Sequence, residues 1–183
     1  MASSFQLVFT PAEVRVRGGI CLTIREYSAA DFHALLGMYE SFIPKRVAQG
    51  LPPLDRERIG KWLRELEQKS RALLAWDEGR VVGHAILCPI SRTAVEFTVF
   101  VHQDNRGEGL GTALTRLAIM FAHQLGFVEV FLCTELSNLA ALHVYRKVGF
   151  TVTSCFGEEV EMKLQLGPGV ESVTAVEEKA ENA

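Results

Sequence analysis

Val95-Glu-Phe-Thr-Val-Phe-Val-His-Gln-Asp-Asn-Arg-Gly-Glu-Gly-Leu-Gly-Thr112 is the stretch on which the reading of this chain turns. It opens as a strand, with Val95, Phe97, Val99 and Val101 on one face and Glu96, Thr98 and Phe100 on the other. A glycine-rich loop from Asn105 to Gly111 follows, and then an apolar helical stripe: Ala113, Leu114, Leu117, Ala118, Phe121, Ala122, Leu125. Glycines at 107, 109 and 111 let the backbone turn its N–H groups inward, and the helix N-terminus adds unsatisfied donors. Together these make a seat for phosphate, to which Arg106 adds a charged donor. The alternative is a merely tight strand–helix connection. The spacing is G-x-G-x-G, with Thr112 where a dinucleotide fingerprint needs its last glycine. No G-x-x-x-x-G-K-[ST] occurs, which argues against a P-loop nucleotidase.

Working outward, Leu22–Glu26 reads as a strand. Ser28 with Asp31 resembles a capping box ahead of a helix striped by Phe32, Leu35, Leu36, Tyr39 and Phe42. Pro44 ends that helix, and a loop with Gly50 and Pro52-Pro53 leads to Asp55, the cap of a second helix carrying Ile59, Trp62, Leu63 and Leu66. Ala72–Trp76 and Val81–Cys88 form a hairpin about Asp77-Glu78-Gly79. After the central strand, loop and helix come a strand at Glu129–Thr134, a helix from Ser137 or Asn138 to Gly149, and a closing pair at Thr151–Phe156 and Val160–Leu166. The order β-α-α-β-β-β-α-β-α-β-β describes a mixed sheet with helices on its faces, α/β or α+β in type.

The 183 residues suit one domain. Residues 20–166 form it, 1–19 read as an N-terminal leader in which Phe5–Thr10 is a candidate strand, and 167–183 read as a disordered acidic tail. The net charge of −3 lies in that tail, where four acids face one base. The rest carries 18 of each sign and is neutral. A neutral body argues against broad nucleic-acid binding. No apolar run reaches the ~20 residues of a membrane span, and the start does not read as a secretion signal. Cys21, Cys88, Cys133 and Cys155 form no C-x-x-C pair and read as buried reduced thiols of a cytoplasmic protein.

Two motifs then resemble one family. Arg106-x-x-Gly109-x-Gly111, after a strand and opening a helix, is similar to the (Gln/Arg)-x-x-Gly-x-(Gly/Ala) signature of the GNAT superfamily of acyl-CoA-dependent N-acetyltransferases. Asn138-x-x-Ala141-x-x-x-Tyr145-x-Lys147-x-Gly149-Phe150 resembles its second conserved stretch, and the resemblance covers roughly Leu22 to Leu166. It implies a mixed central sheet of six or seven strands with about four helices, and acetyl transfer from acetyl-CoA to a primary amine: a protein lysine, a peptide N-terminus or a small molecule. A non-catalytic acyl-CoA-binding module with the same fold is the alternative. The resemblance assigns the pyrophosphate to Gly107, Glu108, Gly109, Leu110, Gly111 and Thr112 beside Arg106. It lays the pantetheine arm along Val99, Phe100 and Val101, with a backbone N–H near Phe100 polarising the thioester carbonyl, and gives Asn138 a contact to the arm or a plain N-cap role.

The same resemblance makes Tyr145 the general acid for the departing thiolate, against an ordinary packed tyrosine. Glu96, a carboxylate in an otherwise apolar strand, is the first candidate base, against a surface or salt-bridged glutamate; Glu135 and a water relay stay open. His84 and His102 border the cleft as alternative relays, against structural histidines. No metal-ligand spacing appears and no metal is expected. The partners expected are acetyl-CoA and an amine, with no nucleic acid or membrane and a homodimer left open.

Overall fold

A computed structural model describes residues 8–45 and 51–167. Residues 5–7 of the candidate leader strand, and the tail from 168 on, lie outside the described residues. The strands are β1 Ala12–Arg15, β2 Cys21–Glu26, β3 Arg71–Asp77, β4 Arg80–Pro89, β5 Ala94–Val101, β6 Glu129–Glu135, β7 Thr151–Phe156 and β8 Glu159–Gln165. The helices are α1 Phe32–Ser41, α2 Arg56–Lys69, α3 Leu110–Gln124 and α4 Leu139–Val148. One sheet runs β1-β2-β3-β4-β5-β6-β8-β7, and all its pairings are antiparallel except β5–β6.

Eight strands exceed the six or seven expected, and the added one is β1. Ala12–Arg15 pairs with Cys21–Ile24, so part of the stretch read as a leader belongs to the sheet. Phe9, just ahead of it, is buried with its ring 5.3 Å from Phe121 of α3.

Two apolar layers flank the sheet. One holds Val95, Phe97, Leu110, Leu114, Phe121, Leu142, Tyr145 and Phe150, beneath α3 and α4. The other holds Leu35, Tyr39, Phe42, Ile59, Leu63, Ile86 and Phe100, beneath α1 and α2. The β5 alternation read from sequence therefore stands, with Phe97 and Phe100 in opposite layers. The caps stand as well. Asp55 accepts from the Arg58 N–H at 2.9 Å, and Ser28 and Asp31 form the reciprocal box. Asp31 is also gripped by Arg25 through two bonds of 2.7 Å, which holds its carboxyl below the usual range.

The cysteines correct the sequence reading. All four are free thiols, but Cys21, Cys133 and Cys155 are exposed and Cys88 is half-buried. Cys155 sits on β7, every residue of which is exposed. An apolar strand at the margin of a sheet does not imply a covered face.

Gly83 on β4 lies directly under α3. A Cβ there would stand 2.6 Å from Leu114 Cδ1 and 3.3 Å from Ala75 Cβ, and Leu114, itself fully buried, would have to shift. Gly83→Val is therefore expected to cost about 1–3 kcal/mol by overpacking. Thermal unfolding would register this as a fall of roughly 2–4 °C per kcal/mol. Among the described residues no helix is long and apolar enough to cross a membrane.

Candidate active site

β5 and β6 run side by side only at Ala94↔Glu129, Val95↔Val130 and Glu96↔Phe131. Beyond that point β5 keeps only β4 as a neighbour and β6 keeps only β8. A wedge opens between them with Glu96 at its narrow end.

Antiparallel pairing decides which backbone groups line the wedge. The His102 N–H donates to the Val82 carbonyl at 2.9 Å. In the β4–β5 register the residues alternate between bonded and non-bonded pairs. Phe100, Thr98 and Glu96 therefore share the parity of His102 and point their N–H and C=O at β4. Phe97, Val99 and Val101 point theirs into the wedge. The Val101 carbonyl confirms this by accepting from Arg106 Nε at 3.1 Å, on the side away from β4. The wedge-facing N–H groups nearest Phe100 are those of Val99 and Val101. The Phe100 side chain lies in the α1/α2 layer, its ring 5.5 Å from Tyr39 and 5.7 Å from Phe42.

At the wide end of β5 lies the glycine loop. Gly107 and Gly109 take φ of 81° and 93°, a left-handed backbone that favours glycine. Gly111 has no such need: a Cβ there would meet only Val101 Cγ2, at 3.7 Å. No residue caps α3 through its side chain. Among the described residues, the N–H groups from Gly107 to Thr112 find no acceptor, whereas the Arg106 N–H bonds Gln103 and the Ala113 N–H bonds Gly109. A run of aligned, unpaired donors at the head of a helix of 15 residues is what an anionic group requires. The Glu108 carbonyl meanwhile accepts from the Arg17 N–H at 2.9 Å, tying the turn after β1 to the loop.

Arg106 is placed differently from the expectation. Its guanidinium donates to the carbonyls of Val101 and Ile43 and lies 5.2 Å over the Phe42 ring. The charged donor expected at the phosphate seat is engaged on backbone, and the donors left there are the loop N–H groups.

Tyr145 hangs from α4 into the apolar layer that also holds Phe97 and Phe150. Its ring packs against Phe150 at 5.8 Å and Phe97 at 6.4 Å. Burial pushes its phenol up to about 12. The hydroxyl has no hydrogen-bond partner among the described residues, yet it is not one of the fully enclosed orphaned atoms; that is Trp76 Nε1 alone. Asn138 caps α4, its Oδ1 accepting from the Ala141 N–H at 3.3 Å.

Glu96 is exposed, across from Cys88 on one side and Phe131 on the other. With Glu159 and Glu161 it forms a negative surround that helps raise the Cys133 thiol, behind burial as the main cause. Glu135 accepts from Ser137 Oγ at 3.0 Å. His84 is buried, with Nδ1 2.8 Å from the Tyr39 hydroxyl, and burial lowers it to about 3, so it stays neutral and is a poor proton acceptor. His102 Nε2 contacts Ser41 Oγ at 3.1 Å. No group of metal ligands occurs among the described residues. A groove of about 670 Å³ lies between α1 and α2, lined by residues such as Phe32, Arg56 and Lys61, none of them on β5, β6 or the glycine loop.

Sequence reasoning missed Gln103 and its partners Ser41 and Ile43, at and just past the end of α1. They lie some 60 residues apart in the chain, and no local pattern marks them.

Comparison with known proteins agrees with this geometry. The model of the Acetyltransferase (GNAT) family matches residues 34–150. N-acetyltransferase family 8 member 3 of Rattus norvegicus is 31% identical over 101 residues, 52% of this chain and 44% of that protein. The L-methionine sulfoximine/L-methionine sulfone acetyltransferase of Pseudomonas aeruginosa is 27% identical over 139 residues, 72% of this chain and 81% of that protein. The match thus spans under half of the rat relative and about four-fifths of the bacterial one. Among solved structures, yncA of Salmonella typhimurium with its cofactor acetyl-CoA superposes with a TM-score of 0.66 and 26% identity, covering 80% of this chain and 95% of that one.

Proposed function

Because the chain belongs to the Acetyltransferase (GNAT) family, we propose that it moves an acetyl group from acetyl-CoA directly to a primary amine while both are bound. The single observation that carries this reading is the succession, along one chain segment, of an open strand edge and a helix start with unpaired N–H groups. The Val99 N–H and C=O and the Val101 N–H face the wedge, and after the bonded turn of residues 102–106 come the unpaired N–H groups from Gly107 to Thr112. An extended amide chain ending in a diphosphate matches that run: two amides for the open strand edge, phosphates for the helix end.

Val99 or Val101 then donates its N–H to the thioester carbonyl, where negative charge grows during attack. The amine approaches along the face that carries Glu96, and Glu96 takes its proton directly or through a water. Tyr145 gives its proton to the sulfur as the carbon–sulfur bond breaks, so the leaving group departs as a neutral thiol. Asn138 keeps its amide NH₂ for the cofactor arm, since its oxygen caps α4. The transfer needs no metal. The bacterial relative acts on L-methionine sulfoximine and L-methionine sulfone; the acceptor read here is an amine on a small molecule, a peptide terminus or a lysine.

The test is a panel of amino acids, peptides and polyamines incubated with acetyl-CoA, with free CoA as the readout. Amine-dependent CoA release is expected. Tight acetyl-CoA binding without release from any amine would instead support a binding module that keeps the fold.

A further inference from the structure

The carboxyl end of α1 is fastened to the segment between β5 and the glycine loop. Gln103 uses both ends of its amide on one short stretch: Nε2 donates to the Ser41 carbonyl at 2.8 Å, and Oε1 accepts from the Ile43 N–H at 3.0 Å. Arg106 Nη2 donates to the Ile43 carbonyl, while its Nε holds the Val101 carbonyl at 3.1 Å. His102 Nε2 meets Ser41 Oγ at 3.1 Å. Between these grips the Phe42 ring sits beneath the Arg106 guanidinium and against Phe100.

Core packing holds Phe42, which is buried in the α1/α2 layer, but it does not account for the polar contacts on either side of it. Ser41, Ile43 and Arg106 are exposed, and Ile43 keeps 62% of its surface. What the contacts have in common is position. Arg106 immediately precedes Gly107, the first unpaired donor of the phosphate seat, and the Val101 carbonyl it holds is one of the wedge-lining groups.

We propose that Gln103 and Arg106, aided by His102, are positioning residues that couple the acetyl-CoA seat to the end of α1. Occupancy of the seat steadies Ser41–Ile43, and through Phe42 it steadies the aromatic layer against the acceptor-facing side of β5. Arg106 thereby also fixes the Val101 carbonyl, leaving the Val99 groups and the Val101 N–H to the pantetheine arm. This inference rests on the reading of Val99–Thr112 as the acetyl-CoA seat.

Hydrogen exchange on the full chain, with CoA as the probe, tests it. If opening of the α1 end requires the seat to empty, CoA at ten times its Kd slows exchange of both the Gly107–Leu114 and the Tyr39–Lys45 peptides by about 10-fold. In Gln103→Ala, slowing at Gly107–Leu114 should persist while that at Tyr39–Lys45 falls below ~2-fold. Gln103→Glu keeps the acceptor for the Ile43 N–H and should recover part of it. Arg106→Lys, which reaches one carbonyl where arginine reaches two, should behave between wild type and Gln103→Ala. Equal slowing at Tyr39–Lys45 in wild type and Gln103→Ala overturns the coupling, as does no slowing there in wild type while Gly107–Leu114 is protected. Protection at neither place overturns the acetyl-CoA seat itself, and the coupling falls with it.

Discussion

Tyr145→Phe is expected to lower kcat by at least about 10-fold, toward the 10²–10⁴ typical of a lost general acid, with acetyl-CoA affinity kept. The substitution removes one atom whose only visible use is chemical. The ring stays between Phe97 and Phe150. The hydroxyl has no protein partner among the described residues, so its loss orphans nothing. Stability should therefore change by less than about 0.5 kcal/mol. Burial secures the proton at the expense of acidity. A phenol pushed up to about 12 stays protonated at any pH where the fold is studied, so the proton is always present when a thiolate leaves. The same upward shift has a kinetic signature: any alkaline fall in kcat that belongs to Tyr145 should lie above the ordinary phenol value near ~10. Steady-state CoA release with binding calorimetry on the same variant separates the effects. Unchanged kcat removes Tyr145 from the chemistry, and weakened binding makes it a packing residue.

The parts of this site that sequence displayed are those set by short periods. The two-residue alternation of β5 put Glu96, Thr98 and Phe100 on one face, and the sheet keeps that division because each face meets a different helix layer. Asp55, Ser28 and Asp31 announced helix starts, since capping acts over three residues. The glycines at 107, 109 and 111 marked a tight turn, and the first two take positive φ in it. Hidden from sequence were features that depend on where strands end up. β1 has only four residues beyond Pro11, with alternate residues half-covered, too short to show a period. The parting of β5 from β6 after Glu96 has no residue signal, because it follows from the twist and from the different partners of the two strands. Arg106 illustrates the limit best. Its place before the glycines suggested phosphate, yet its hydrogen bonds reach the Ile43 carbonyl 63 residues away.

Glu96→Gln should produce a loss of kcat/KM that depends on pH, and the sign of that dependence identifies the proton acceptor. A free amine of the lysine type titrates near ~10.4, so at pH 7 only about one molecule in 10³ can attack without help. Glu96 supplies that help by taking the proton inside the complex, and glutamine cannot. The expected loss is about 10²-fold at pH 7, within the range for a general base. It should shrink steadily as pH rises toward 10, where solution already delivers neutral amine. Geometry favours Glu96 over its rival. It stands where β5 and β6 separate, exposed and beside the open wedge, whereas Glu135 at the far end of β6 is engaged with Ser137. Glu135→Gln is thus expected to leave the profile close to wild type. The negative surround of Glu159 and Glu161 complicates the substitution in one testable way. If Glu96 only attracts the ammonium group, Glu96→Gln raises KM for the amine, with kcat preserved, and the effect weakens in high salt because exposed charges are screened. If Glu96 accepts the proton, kcat itself falls and salt does not restore it. A uniform loss of a few-fold across the whole pH range would fit neither role and would make Glu96 a residue of the sheet surface.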